Sequence, residues 1–297
     1  MYKEIYKFFK FTKISHSVKN ILIIFPVAAS GISLRAVDLN IFFQGFFALF
    51  LLTSACYILN DLKDRSIDKL NKLKRKKVFF NKKKSYLIFL FYSLILITFV
   101  SFNNQVEYKF LLLYFINFLI YNYFAKKIKF LDIILLTNFY NLRVFFGADL
   151  FSIEPTNGFI LLNFILFLLL SISKRIIQIN VNKLKKSNSI ISYSYNDMKT
   201  LMNVLKFSFF LLNVILIVYY LRYLNILDFI SSLDFIFLGT ELDLFKILLC
   251  HMIFLIYFYY LYKMLNSKKI KLDIFDFIFR NKLSYISLFL IFLMFYN

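Results

Sequence analysis

Stretches of about 18 or more mostly apolar residues recur along this chain, and each is long enough to cross a bilayer as a helix. No other feature limits the fold so tightly. Nine such stretches can be placed, at roughly 18–36, 40–59, 86–104, 108–125, 129–150, 158–174, 207–225, 244–263 and 283–297. The expected fold is therefore all-α: a polytopic membrane bundle of about nine transmembrane helices, forming a single domain over 1–297. At 61% hydrophobic residues and 21% aromatic ones, the chain is far too apolar for a soluble domain of its length. No short apolar stretch is followed by a small-residue cleavage site, so no cleavable signal peptide is expected.

The basic residues set the expected orientation. Lys3, Lys7, Lys10, Lys13 and Lys19 precede or open the first span. Further clusters follow span two, span four (Lys126-Lys127-Ile128-Lys129), span six and span eight, while the alternate connections are poor in Lys and Arg. The longest of these carries Asp228, Asp234, Glu241 and Asp243. Positive charge marks the cytoplasmic side, which predicts a cytoplasmic N-terminus and an external C-terminus. The long connections near 60–85 and 174–206 are expected to continue as helical caps over the cytoplasmic mouth. A net charge of +21 is read as topology and attraction to anionic lipid. Nucleic acid is not an expected partner, because no soluble module is left to present a groove reader.

Chemistry is concentrated where span two meets the basic connection, in Asn60-Asp61-Leu62-Lys63-Asp64-Arg65-Ser66-Ile67-Asp68. On a helix Asp61, Asp64 and Asp68 share one face, and Asn60 joins it one turn before Asp64. Neighbouring ionised carboxylates about 6 Å apart repel by roughly 3 kcal/mol at an effective dielectric of about 20. Packing does not call for that cost, but a hard divalent cation does. Mg2+ prefers carboxylate oxygens and shares its shell with substrate phosphates. The motif thus points to a metal-bound diphosphate at a membrane surface.

Other residues could hold phosphate. Lys74-Arg75-Lys76-Lys77 lies just downstream, Lys126 follows span four, Lys174-Arg175 closes span six, and Lys19-Asn20 opens span one. Arg143 sits well inside span five, where an arginine is costly and is expected to face a polar cavity. Asp132 lies eleven residues earlier, about three turns away, too far to pair with it directly. Both are expected to line one cavity. Cys56 and Cys250 fall in spans with no local metal or disulfide pattern. His16 and His251 are isolated, and His251 is expected to pack inside the bundle.

Asn60-Asp61-x-x-Asp64-x-x-x-Asp68 resembles the first Asp-rich motif of the UbiA superfamily of intramembrane prenyltransferases. Within that superfamily the chain most resembles the decaprenyl-phosphate phosphoribosyltransferases. The resemblance rests on Val18-Lys19-Asn20, Lys74-Arg75-Lys76-Lys77, Leu131-Asp132, Arg143-Val144-Phe145-Phe146-Gly147 and Lys174-Arg175, in that order over roughly 13–180. It differs at Ser17, where that branch has tryptophan, over Lys77 to Lys82, and at Gln178, where an acid is expected. A second Asp-rich motif, carried by relatives that use prenyl diphosphates, is not found after span six.

The resemblance implies a Mg2+-dependent transferase of a bacterial cytoplasmic membrane, with its active site facing the cytoplasm. Its donor would be 5-phosphoribosyl 1-diphosphate and its acceptor a polyprenyl phosphate. Asn60, Asp61, Asp64 and Asp68 would hold the metal, and Asp61, Asp64 and Asp68 would be the catalytic acids. Lys19, Asn20, Lys74, Arg75, Lys77, Lys126, Asp132, Arg143, Lys174 and Arg175 would bind the substrates. Two other readings stay open on the sequence: a prenyltransferase using a polyprenyl diphosphate, and a non-enzymatic membrane carrier.

Overall fold

The computed structural model describes residues 12–30, 37–65, 81–103, 106–185, 193–223 and 244–266. Among these there are helices and turns and no strand. A 3-10 helix, Ile14–Ile24, runs into the short α1, Phe25–Ala29. Pro26 lies in the first turn of α1, where a missing N–H costs no helical bond. Then follow α2 (Leu39–Lys63), α3 (Lys82–Ser101), α4 (Tyr108–Tyr123), α5 (Leu131–Leu150), α6 (Asn157–Lys185), α7 (Met198–Tyr223) and α8 (Leu244–Asn266).

Four helices among the described residues are long and apolar enough to cross a membrane, within Leu39–Lys63, Lys82–Ser101, Asn157–Asn180 and Tyr195–Val218. The expected count of nine is not reached by that measure. The 16 residues of α4 are few for a span, and α5 is diluted by Asp132, Asn138, Asn141, Arg143 and Asp149. The ninth stretch, 283–297, lies outside the described residues, as does most of the connection after span two.

The interior of the bundle is built on α2, α5 and α6. Most of α2 and α6 is buried, whereas α3 and α7 bury about a fifth of their apolar windows. Leu87, Leu90, Phe91, Leu94 and Ile97 of α3, and Phe207, Phe210, Val214 and Ile217 of α7, are exposed at helical spacing, as lipid-facing rows are. In α2 the buried Thr53-Ser54-Ala55-Cys56 gives a run of small side chains, and such runs let neighbouring helices approach closely.

A close approach occurs at Gly147 of α5. A Cβ there would lie 2.0 Å from the Ile23 carbonyl oxygen, so the backbone of the 3-10 helix rests directly on α5. One apolar cluster joins Ile23 to α2, α4 and α5, through Leu49, Phe118 and Phe146 among others. Another joins α5, α6, α7 and α8, through Ile133, Ile176, Leu205 and Leu265.

Candidate active site

Asn60, Asp61 and Asp64 sit in the last turn of α2, with Asp64 at its C-cap. Carboxylates at this end of a helix face the negative pole of its dipole and need cations. Two lysines supply them. Lys13 Nζ lies 2.6 Å from Asp61 Oδ1. Lys126 Nζ pairs closely with Asp64 Oδ2 and also donates to Asn60 Oδ1 at 3.3 Å. Lys126 reaches them from the 3-10 turn Ala125–Lys127 that follows α4.

Lys13 is held on both sides. Its Nζ lies 5.0 Å from the centre of the Tyr57 ring, and Tyr57 precedes Asp61 by one helical turn. Its backbone is left-handed, with φ 52°, an uncommon conformation for a residue with a side chain. Lys63 points elsewhere, over the Tyr123 ring at 4.2 Å and onto the Asn122 carbonyl.

The oxygens of Asn60, Asp61 and Asp64 suit a hard divalent ion. The single ammonium bridging Asn60 and Asp64 demonstrates that two of them converge on one cation. No group of three His, Cys, Asp or Glu side chains that could hold a metal is found among the described residues. Two carboxylates and an amide make a partial shell of the kind that substrate phosphates complete. Asp68, Lys74, Arg75 and Lys77 lie outside the described residues.

A second constellation adjoins the Lys126 turn. Asp132, in the first turn of α5, and Arg175 of α6 are both buried, and Arg175 Nε lies 2.5 Å from Asp132 Oδ2. They meet as a close, buried ion pair. The other Asp132 oxygen accepts from the Tyr193 hydroxyl at 2.8 Å. That hydroxyl in turn accepts from the Phe130 backbone N–H at 2.5 Å. Phe130 is the N-cap of α5, has φ 64° and offers no capping side chain. Tyr193 therefore satisfies an N–H that helix geometry leaves unpaired. Burial pushes the Tyr193 hydroxyl above the usual phenol range, which keeps it a donor to Asp132. Arg175 is completed by the Tyr121 hydroxyl at 3.0 Å and by Gln178 Oε1.

Asp132 thus pairs with Arg175, while Arg143 belongs to a separate group about 16 Å further along α5. Arg143 Nε donates to Asn20 Oδ1 at 3.0 Å, and its other nitrogens donate to the Tyr114 hydroxyl at 2.7 Å and the Phe139 carbonyl at 2.6 Å. Asn20 Nδ2 reaches Thr53 Oγ1 at 3.5 Å. The group ties the 3-10 helix, α2, α4 and α5 together, beside the close approach at Gly147. Lys19 and Lys174 are both partly exposed, each next to a buried member of these groups.

The structure therefore brings Asn60, Asp61, Asp64 and Lys126 together, joins Asp132 to Arg175, and joins Asn20 to Arg143. Lys13, Tyr114, Tyr121 and Tyr193 were not anticipated as members of these groups. Lys13 is one of many N-terminal lysines and each tyrosine is one of 21, so composition gives them no prominence. His251 packs between helices as expected, with Nε2 2.9 Å from Asn213 Oδ1 and its ring against Tyr220.

An acid motif, its lysines and a buried ion pair are thus gathered around one turn of a helical bundle, in which four of the described helices are long and apolar enough to cross a membrane. The fold is similar to that of a solved digeranylgeranylglyceryl phosphate synthase. It superposes over 99% of this chain and 98% of that one, with a TM-score of 0.63 and 13% sequence identity. At that identity the likeness establishes the fold. No family model and no curated protein sequence matches the chain.

Proposed function

We propose that this chain is a Mg2+-dependent membrane transferase that moves a phosphoribosyl group from 5-phosphoribosyl 1-diphosphate to a polyprenyl phosphate of the decaprenyl type. The observation that carries the reading is the meeting of Asn60 and Asp64 on one cation, with Asp61 in the same turn and a lysine on each carboxylate. A carboxylate-and-lysine arrangement of this kind suits a leaving diphosphate and its metal. The phosphoribosyl donor is supported by the ordered motifs over roughly 13–180 and by the many basic residues in place of a second acid motif.

Asn60, Asp61, Asp64 and Asp68 would hold Mg2+, which would draw negative charge from the leaving diphosphate as the anomeric carbon becomes cationic. Lys126, Lys74, Arg75, Lys77, Lys174 and Arg175 would hold the remaining phosphate oxygens. Asp132 would keep Arg175 in place from behind. Lys19 would meet the acceptor phosphate, and Arg143 would fix Lys19 by holding its neighbour Asn20. The acceptor oxygen is already anionic and needs no strong general base, so positioning supplies most of the acceleration. The basic connections favour an active site on the cytoplasmic face of a bacterial inner membrane.

A second reading is prenyl transfer from a polyprenyl diphosphate. It is favoured by the fold likeness to a synthase of digeranylgeranylglyceryl phosphate. The acid motif serves both readings, because diphosphate leaves in each. Purified protein in detergent, given Mg2+, a polyprenyl phosphate and radiolabelled 5-phosphoribosyl 1-diphosphate, should carry label into the lipid extract, with EDTA abolishing it. Label entering only from a prenyl diphosphate would replace the first reading with the second.

A further inference from the structure

We infer that Lys13 and Lys126 are exchangeable counter-cations of Asp61 and Asp64, which make the site take up a divalent cation together with a diphosphate and not alone. The inference rests on the proposed diphosphate chemistry of this site and extends it to the order of binding. Each carboxylate already holds an ammonium, Lys13 on Asp61 at 2.6 Å and Lys126 on Asp64. Lys126 also occupies Asn60, so its ammonium stands where an ion shared by Asn60 and Asp64 would have to stand. A metal ion and this ammonium compete for the same oxygens.

The pairs are partly desolvated, the Lys126 and Asp64 side chains being 13% and 8% exposed, so screening by water and salt is weak. With two carboxylates and two ammoniums the local charge is balanced. A bare divalent ion would leave excess positive charge. A divalent ion carrying a diphosphate would not, because the displaced ammoniums find anionic phosphate oxygens to accept their hydrogen bonds. The construction around Lys13 fits this role. Its left-handed backbone and the Tyr57 ring aim it at Asp61, while the lysine stem keeps the ammonium free to swing to a nearby oxygen.

The test is metal binding by the full-length protein in detergent, independent of turnover. Protein-bound Mn2+ is titrated by electron paramagnetic resonance with metal alone. Stabilisation by Mg2+ together with imidodiphosphate, which is not hydrolysed, is followed by thermal unfolding. Wild type should bind Mn2+ alone weakly and be stabilised by Mg2+ with imidodiphosphate. Lys13→Gln/Lys126→Gln should bind Mn2+ alone about tenfold or more tightly, because a competing partly buried charge pair is gone. The same variant should lose most of the stabilisation by Mg2+ with imidodiphosphate. Lys13→Arg, which keeps the charge and is the safer variant for folding, should behave as wild type in both measurements.

Unchanged Mn2+ affinity in the double glutamine variant, with wild type still stabilised by Mg2+ and imidodiphosphate, would overturn the exchange and leave the functional reading in place. Wild type that is not stabilised by Mg2+ and imidodiphosphate would overturn both.

Discussion

Gly147→Ala is expected to loosen the 3-10 helix from α5 and, with it, the contact between Asn20 and Arg143. The added Cβ would lie 2.0 Å from the Ile23 carbonyl oxygen and 2.6 Å from its carbon. Carbon and carbonyl oxygen normally stay about 3.3 Å or more apart, so the segment has to retreat by about 1.3 Å. The obstacle is backbone, and no rotamer change relieves it. Three residues earlier in that segment, Asn20 accepts from Arg143 at 3.0 Å, and the same retreat takes that bond out of reach. A hydrogen bond to a buried charged group contributes about 1.5–3 kcal/mol, which sets the expected loss.

Cys56 offers the assay. It is buried in α2, in the same apolar cluster as Ile23 and Phe146. With Cys250 replaced by Ser, a thiol-reactive dye reports exposure of Cys56 during heating. Gly147→Ala should lower the midpoint by several degrees. In an Asn20→Ala background the same substitution should cost clearly less, because the bond is already gone. A Gly147→Ala variant within about 0.5 kcal/mol of its parent would refute the reasoning, since that is the range of substitutions that touch nothing important.

Removing one partner of the Asp132–Arg175 pair leaves a buried charge uncompensated, so Asp132→Ala or Arg175→Met should each cost about 3–5 kcal/mol in the same dye assay, and the double variant less than either. Tyr193→Phe removes the hydroxyl shared by Phe130 N–H and Asp132. It should cost about 1–3 kcal/mol and speed hydrogen exchange at the start of α5. Breaking the Asn213–His251 contact with His251→Leu should cost only about 0.6 kcal/mol, the average for polar contacts between membrane helices.

The helices were legible because spanning length and apolarity are local properties. The stretch expected at 40–59 is α2, Leu39–Lys63, and the one at 129–150 is α5, Leu131–Leu150. The first stretch differs in kind. Among its described residues, where the expectation is one span over 18–36, there is a 3-10 helix that begins at Ile14 and a short α1 that ends at Ala29. Its polar face, with buried Ser17 and Asn20, packs against α2 and α5.

The acid motif was legible because carboxylate repulsion is paid within one helix. Pairings were not, because they depend on which helices are neighbours. Asp132 and Arg175 are 43 positions apart, yet α5 and α6 are consecutive helices that pack together, which brings the head of one level with the far part of the other. That arrangement could have been drawn from an up-and-down order of spans. The part of Tyr193 could not. It satisfies a backbone N–H exposed by the left-handed Phe130, and nothing in the sequence around Phe130 announces that conformation.

Label transfer by wild type, Asp61→Asn and Asp64→Asn in proteoliposomes, across a Mg2+ titration, tests the central claim most directly. Wild type should transfer label from the diphosphate donor to lipid in a Mg2+-dependent manner. Each asparagine variant keeps shape and loses charge, and each should lose about 100-fold or more, the scale seen when one group stabilising transition-state charge is removed. Either variant retaining full Mg2+-dependent transfer would contradict the assignment of the metal-bound diphosphate to the end of α2.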